Sequence, residues 1–135
     1  MTLERAGFFR ELRHGNPDGP SLAEGRDALP PDERDRIAGY LRDGEVLATT
    51  GQRVGDALDP ERTDVAELAI LTDGDWVWPA DLAYYVATYG VELPAAFVDA
   101  MRARSWQLPA LSEDELVAVE AEFLGRSSPP AAAST

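Results

Sequence analysis

Apolar residues spaced three or four positions apart recur along this chain, which is the spacing of a helix with one buried face. Four such segments begin after Pro30, at Pro79, at Pro94 and after Ser112. The last has the clearest local signature, because Ser112 and Glu115 stand at the spacing of a capping box. We therefore predict four helices along the chain.

A weaker apolar stripe near the N-terminus predicts a further helix over residues 2–13. Thr2 is a candidate cap for this helix, and His14-Gly15 is its expected stop. We interpret His14, the sole histidine, as a solvated residue at the helix end. The apolar side of the predicted helix consists of Leu3, Phe8, Phe9 and Leu12.

Two short apolar runs predict β-strands, one over residues 45–50 and one over residues 68–71. Asp73-Gly74 separates the second run from residues 75–78. This is the strongest hairpin signal in the chain, because glycine tolerates the positive φ of a tight turn. The expected result is an antiparallel pair of strands.

The predicted elements define an α+β fold, with four to five helices packed on a short antiparallel sheet that contains a β-hairpin. A single domain is predicted over residues 1–125, since 135 residues with 44% hydrophobic content suffice for one core. Residues 54–58 are predicted to form a short helix. Residues 126–135 lack large apolar side chains and are predicted to be a disordered tail.

Charge narrows the class of partner. The chain has 25 acidic and 12 basic residues, a formal net charge of −13. Such a field repels nucleic acid and anionic lipid, and it attracts a basic protein or a cation. Cysteine is absent and the apolar runs are too short to span a membrane, so we expect a cytoplasmic protein.

Residues 72–85 concentrate aromatic and acidic side chains, which together suit a binding surface. Trp76 and Trp78 would share one face of a strand, and we interpret them as core. Tyr84 lies off the apolar stripe of its helix, so we expect it to be partly exposed. The predicted binding residues are Asp73, Asp75, Trp76, Trp78, Asp81, Tyr84 and Tyr85.

Other chemistry has less support in the sequence. Asp73-Gly74-Asp75 lacks the further ligands of a calcium loop, and Gly51 to Gly55 lacks the ending of a phosphate-binding loop. We predict no catalytic residue, no metal ligand and no cofactor. Arg102 and Arg104 are interpreted as a solvated helix face.

One segment carries a resemblance to a known group. Residues 72–79 read Thr-Asp-Gly-Asp-Trp-Val-Trp-Pro, and Tyr84-Tyr85 and a Leu-Pro-x-x-Phe segment at 93–97 follow. Over roughly residues 44 to 100 the chain resembles a group of small uncharacterised bacterial proteins, mainly actinobacterial. More loosely, in size and charge, it is similar to small acidic immunity proteins that neutralise bacterial toxins.

These observations lead to three hypotheses. The first is a non-catalytic protein that binds a protein partner, for which a basic protein is one candidate, through the aromatic and carboxylate surface. An immunity protein is its most concrete form. The second is a regulatory or catalytic small-molecule site near Trp76, Trp78, Asp81 and Tyr84. The third is a homodimer module.

Overall fold

The computed structural model describes residues 3–12 and 15–127 of the chain. This part contains four helices and four strands, which confirms the α+β class. The proposed cap Thr2, His14 and residues 128–135 of the predicted tail lie outside the described residues. In chain order the elements are β1 (Glu4–Arg5), α1 (Pro31–Arg42), β2 (Glu45–Val54), β3 (Ala66–Thr72), β4 (Trp76–Pro79), α2 (Leu82–Tyr89), α3 (Ala95–Ala103) and α4 (Glu113–Ser127).

The four strands form one sheet in the order β1-β4-β3-β2. Strands β2, β3 and β4 are antiparallel neighbours, whereas β1 lies parallel to β4. The sheet is therefore mixed, and the prediction of a purely antiparallel sheet is wrong. The cause is the N-terminal segment, which adds to the free edge of the predicted hairpin.

The predicted helix over residues 2–13 is also wrong. The amide of Glu4 donates to the carbonyl of Asp75 and the amide of Ala6 donates to that of Val77, so the segment pairs as a strand. Gly7 then turns the chain at a φ of 81°, close against Leu82. A helix cannot continue through that conformation, which favours glycine.

The predicted hairpin between β3 and β4 is confirmed. Gly74 has a φ of 102°, and the Asp73 carboxylate accepts the amides of Asp75 and Trp76 at 3.0 and 2.8 Å. These bonds satisfy amides that face into the turn, in the way typical of an aspartate-initiated turn. The geometry fixes where the carboxylates of the turn point.

One face of the sheet, here called the inner face, packs against α1, α2 and α3. Trp78 is fully buried there, and its indole N–H donates to the carbonyl of Leu41 at 3.1 Å. Trp76 and Trp78 both contact the ring of Phe97, with ring centres 4.6 and 5.3 Å apart. The prediction that the two tryptophans share a face is therefore confirmed, and the face is the main core.

The opposite face of the sheet, here called the outer face, is covered by α4. A small cluster of Leu3, Val77 and Val119 is buried there, with partly buried Ile70 and Phe123 packed against it. The outer layer therefore rests on far fewer buried side chains than the inner layer.

Several element boundaries follow the predicted signals. Gly90 ends α2 in the left-handed conformation, with its amide bonded to the carbonyl of Val86. The capping box of α4 is present, since Ser112 and Glu115 each accept the amide of the other at 3.1 Å. Helix α4 runs to Ser127, so it includes the first two residues of the tail predicted over 126–135.

Two boundary predictions are wrong. Pro79 is the last residue of β4, paired with Ile70, and α2 starts three residues later at Leu82. Residues 55–62 form a turn-rich loop in place of the predicted helix over 54–58. In that loop the Asp56 side chain accepts the amide of Leu58 at 2.7 Å, which competes with a helical turn.

Candidate functional site

Four side chains meet beneath the turn of the β3–β4 hairpin, and we call them the hairpin cluster: Tyr40, Asp73, Asp75 and Arg104. The Tyr40 hydroxyl donates to Asp73 at 2.6 Å, and the Arg104 guanidinium donates to the same carboxylate oxygen at 2.9 Å. The second arm of Arg104 reaches Asp75 at 2.5 Å. The cluster therefore ties the turn to α1 and to the end of α3.

The electrostatics of the hairpin cluster hold it in one charge state. Burial, together with the Asp73 carboxylate, raises the pKa of Tyr40 above its usual range. Burial opposes the charge of Arg104, but its bonds to Tyr40 and Asp75 outweigh that effect and raise its pKa. At neutral pH the tyrosine is thus neutral and the arginine charged, which suits a structural brace.

A cleft of about 280 Å³ separates the hairpin turn from the start of α4. The exposed carboxylates of Asp75 and Glu115 lie at this cleft, and Leu111 and Val119 supply part of its apolar lining. Arg104 also lines it, and its charge is already engaged by the two aspartates of the turn. The carboxylates of the turn therefore lie across the cleft from one carboxylate of α4, that of Glu115.

A second group of polar side chains, here called the tyrosine cluster, holds the loop after β2 against α2. Asp56 is buried and accepts the hydroxyls of Tyr84 and Tyr89 at 2.7 and 2.5 Å. Arg62 donates to the Tyr84 hydroxyl at 3.1 Å. Burial alone would raise the pKa of Asp56, but the two hydroxyls lower it.

The predicted binding residues differ in their exposure to solvent. Asp75 is exposed, and Trp76 and Tyr84 are partly exposed, as expected for Tyr84. The remaining four lie beneath the surface, with at most 1% of each residue exposed: Asp73, Trp78, Asp81 and Tyr85. Of the seven, only the first three have surface that a partner could contact directly.

The predicted small-molecule pocket does not gather its four residues. Of four cavities in the described part of the chain, one of about 370 Å³ is lined by Tyr84, together with Arg42 and Arg53. Trp76, Trp78 and Asp81 line none of these four. Trp78 is instead sealed in the core of the inner face.

The interpretation of Arg102 and Arg104 as one solvated face is wrong for Arg104, which reaches into the hairpin cluster. Arg102 lies on the exposed side of α3 and pairs with Glu33 and Asp99. The two arginines diverge because Arg104 follows the last residue of α3, where the helical direction ends.

Sequence reasoning also missed the outward side of α4. Between Glu113 and Leu124 the helix carries five acidic residues and no basic one. Val117 and Leu124 are exposed there, with relative accessibilities of 59% and 52%. Their spacing of seven residues was visible in the sequence, but an apolar residue on a helix gives no sign of which stripe packs inward.

The chain matches no protein-family model, and no curated protein or solved structure shows significant similarity to it. Across residues 3–12 and 15–127, no group of three or more acidic or histidine side chains is arranged to hold a metal ion. None of the helices within those ranges is both long and apolar enough to cross a membrane.

Proposed function

We propose that this chain is a non-catalytic binding protein that holds a basic protein partner against an acidic surface. We define this acidic surface as the hairpin turn, residues 73–75, together with the exposed side of α4. One observation carries the proposal: α4 has no cation from Glu113 to Leu124 and four exposed carboxylates, of which Glu115 lies across the cleft from the exposed Asp75.

A continuous surface with charge of one sign acts mainly on the rate at which two proteins associate. Such a field attracts a cationic partner and raises the association rate, and the attraction weakens as salt screens it. The hairpin cluster supports this role, because Arg104 and Tyr40 fix the two aspartates of the turn in place. A fixed surface loses less conformational entropy when a partner binds.

Within this proposal, neutralisation of a basic toxin is the most concrete form of function. An immunity protein of that kind requires no catalytic group, and it gains specificity from charge complementarity with its target. The support is the net charge of −13 and the absence of any basic residue between Glu113 and Leu124 of α4.

The small-molecule alternative has less support. Trp78 and Asp81 are buried, and of the four residues expected to form that pocket Tyr84 alone lines one of the four cavities. A small ligand needs a concave apolar site, and the four residues expected to form one do not together line any of those four cavities.

The test is capture of a partner by the immobilised chain from a lysate of the source organism, with elution in steps of increasing salt. The α4 charge variant is Glu113→Gln, Asp114→Asn and Glu120→Gln, which leaves the capping Glu115 intact. We expect a protein with a basic surface to be retained by the natural chain and to be lost, or eluted at much lower salt, with this variant.

A control of equal net charge is Asp35→Asn, Asp43→Asn and Glu61→Gln. Asp35 and Asp43 belong to α1 and its end, across the sheet from α4, and Glu61 lies in the loop after β2. This control should retain the partner. Equal retention by all three proteins, or retention that salt does not affect, would contradict the proposed function.

A further inference from the structure

Large apolar side chains are unevenly exposed on this protein. Within the described part of the chain three are strongly exposed: Val46, Val117 and Leu124. Val46 lies on the edge strand β2, whereas Val117 and Leu124 share helix α4. Two of the three therefore belong to the acidic surface defined above.

Helical geometry places the two α4 residues on one line. Seven residues correspond to nearly two turns, so Val117 and Leu124 lie about 10 Å apart along the axis on the same side. Ala121 lies between them and is also exposed. Val119, the buried contact of α4 with the sheet, projects from the opposite side. We call Val117, Ala121 and Leu124 the outer stripe.

Three carboxylates lie beside the outer stripe near Val117 and Ala121. At about 100° per residue, Glu113 and Glu120 fall along one side of the stripe and Asp114 along the other. All three are exposed. An apolar line with negative charge on both sides is complementary to an apolar line with positive charge on both sides. The same arrangement disfavours a second copy of this chain, because the carboxylates of two copies would face each other.

We propose that the outer stripe receives an amphipathic helix with basic flanks, supplied by a partner protein. This inference rests on the proposed function and specifies its surface and the kind of partner segment. Val117 and Leu124 would contact the apolar side of the incoming helix, and Glu113, Asp114 and Glu120 would pair with its Lys or Arg residues.

The middle of the outer stripe suits a helix in particular. Ala121 is small, so it leaves room for the side chains of a second helix to approach the backbone of α4. Packed helices lie about 8–10 Å apart, and small residues at the crossing allow the shorter distances. Apolar contacts at each end of the stripe would then set the lifetime of the complex.

The probe is a synthetic peptide of about 18 residues, long enough for partial helicity, with leucine at helical spacing and arginine beside it. A peptide of the same composition in scrambled order, without helical periodicity, is the reference. Binding is measured by fluorescence anisotropy against the full chain. We expect micromolar affinity for the helical probe and at least about tenfold weaker binding of the scrambled one.

Two variants distinguish the outer stripe from charge in general. The stripe variant is Val117→Ser with Leu124→Ser, and Val46→Ser is the matched control because Val46 is 57% exposed on a different element. The stripe variant should bind the probe at least about tenfold more weakly with unchanged thermal unfolding. The control should bind it as the natural chain does.

Each outcome has a separate consequence. Probe binding that weakens with the α4 charge variant but not with the stripe variant overturns this inference and leaves the proposed function in place. Equal binding of the helical and scrambled probes, if it still depends on the α4 carboxylates, overturns this inference alone. Binding unaffected by either variant contradicts both. A dimer of the chain alone, found by sedimentation and abolished in the stripe variant, would assign the outer stripe to a second copy and overturn the inference.

Discussion

The two faces of the sheet differ in how many side chains they bury. Three helices cover the inner face, where Trp78 and Phe97 are sealed and Tyr40 joins them through ring contacts. One helix covers the outer face, and among its residues only Val119 is buried between Glu113 and Leu124. The inner face therefore carries most of the free energy of folding.

Because of this difference, most residues that stabilise the fold lie outside the proposed binding surface. A helix attached through one side by few buried contacts leaves most of its surface free, so α4 can expose charge and apolar groups without weakening the main core. The hairpin cluster connects the two layers, because its aspartates lie in the turn beside α4 and Tyr40 and Arg104 hold them from the inner side.

The largest expected effect is on the inner face. Trp78→Ala should lower the free energy of unfolding by about 3–5 kcal/mol, because it leaves a cavity and removes the bond to Leu41. Denaturant titration followed by circular dichroism measures this. Trp78→Phe should cost less, since it keeps most of the apolar volume. A loss below about 1 kcal/mol for Trp78→Ala would contradict the assigned core.

Removal of the central carboxylate of the hairpin cluster should cause the next largest loss of stability. Asp73→Ala strips Arg104, Tyr40 and two turn amides of their acceptor, and we expect a loss of about 2–4 kcal/mol. Asp73→Asn is the matched comparison, because its amide oxygen can still accept the turn amides. Equal losses for the two variants would show that the contribution of Asp73 comes from its charge and not from the turn bonds that asparagine retains.

High pH should weaken the inner layer selectively. All four tyrosines have raised pKa values, and the pKa of Tyr89 rises to about 12, first through its bond to Asp56. A raised folded pKa gives stability that is complete below the unfolded pKa of about 10 and is lost as pH rises through the folded pKa. Tyr89 therefore contributes a loss between about pH 10 and 12.

Denaturant titrations at a series of pH values, with tyrosinate absorbance, test this dependence. In Tyr89→Phe the free energy of unfolding should fall less steeply over that interval than in the natural chain. An unchanged slope would remove Tyr89 from the tyrosine cluster as a determinant of alkaline stability.

A matched pair of valines compares the two faces directly. Val119→Ala on the outer face should cost about 1–2 kcal/mol, from the loss of two buried carbons. Val86→Ala on α2 removes the same atoms from the larger core and should cost more, because its fuller surroundings collapse less completely. Chemical denaturation ranks the two, and the reverse order would contradict the distinction between the faces.

The smallest effect on stability is expected at the outer stripe. Val117→Ser and Leu124→Ser remove exposed groups, so each should change the free energy of unfolding by less than about 0.5 kcal/mol. The change should be seen in peptide affinity and not in the melting temperature. A large loss of stability would show that the stripe packs within the protein.

Local signals in the sequence were sufficient for the elements with local causes. The hairpin follows from Gly74, the end of α2 from Gly90, and the start of α4 from Ser112 and Glu115, since each signal acts on the backbone within a few residues. Helical periodicity likewise located α1 and α3.

Local signals could not predict contacts between residues that lie far apart in the sequence. Asp56 meets Tyr89 across 33 positions, and Arg104 meets Asp73 across 31. No local pattern marks an aspartate as the acceptor of a tyrosine far along the chain. The parallel β1 was missed for the same reason, because its strand conformation depends on the free edge of β4.

The sequence by itself determined the α+β class, the hairpin, the starts of α1, α3 and α4, the end of α2 and the strong negative charge. Tertiary structure alone decided which aromatic rings are sealed, which aspartates are braced and which side of α4 faces outward. The physical reason is range: capping, turn geometry and periodicity act over a few residues, whereas burial and ion pairing depend on how separate elements meet in space.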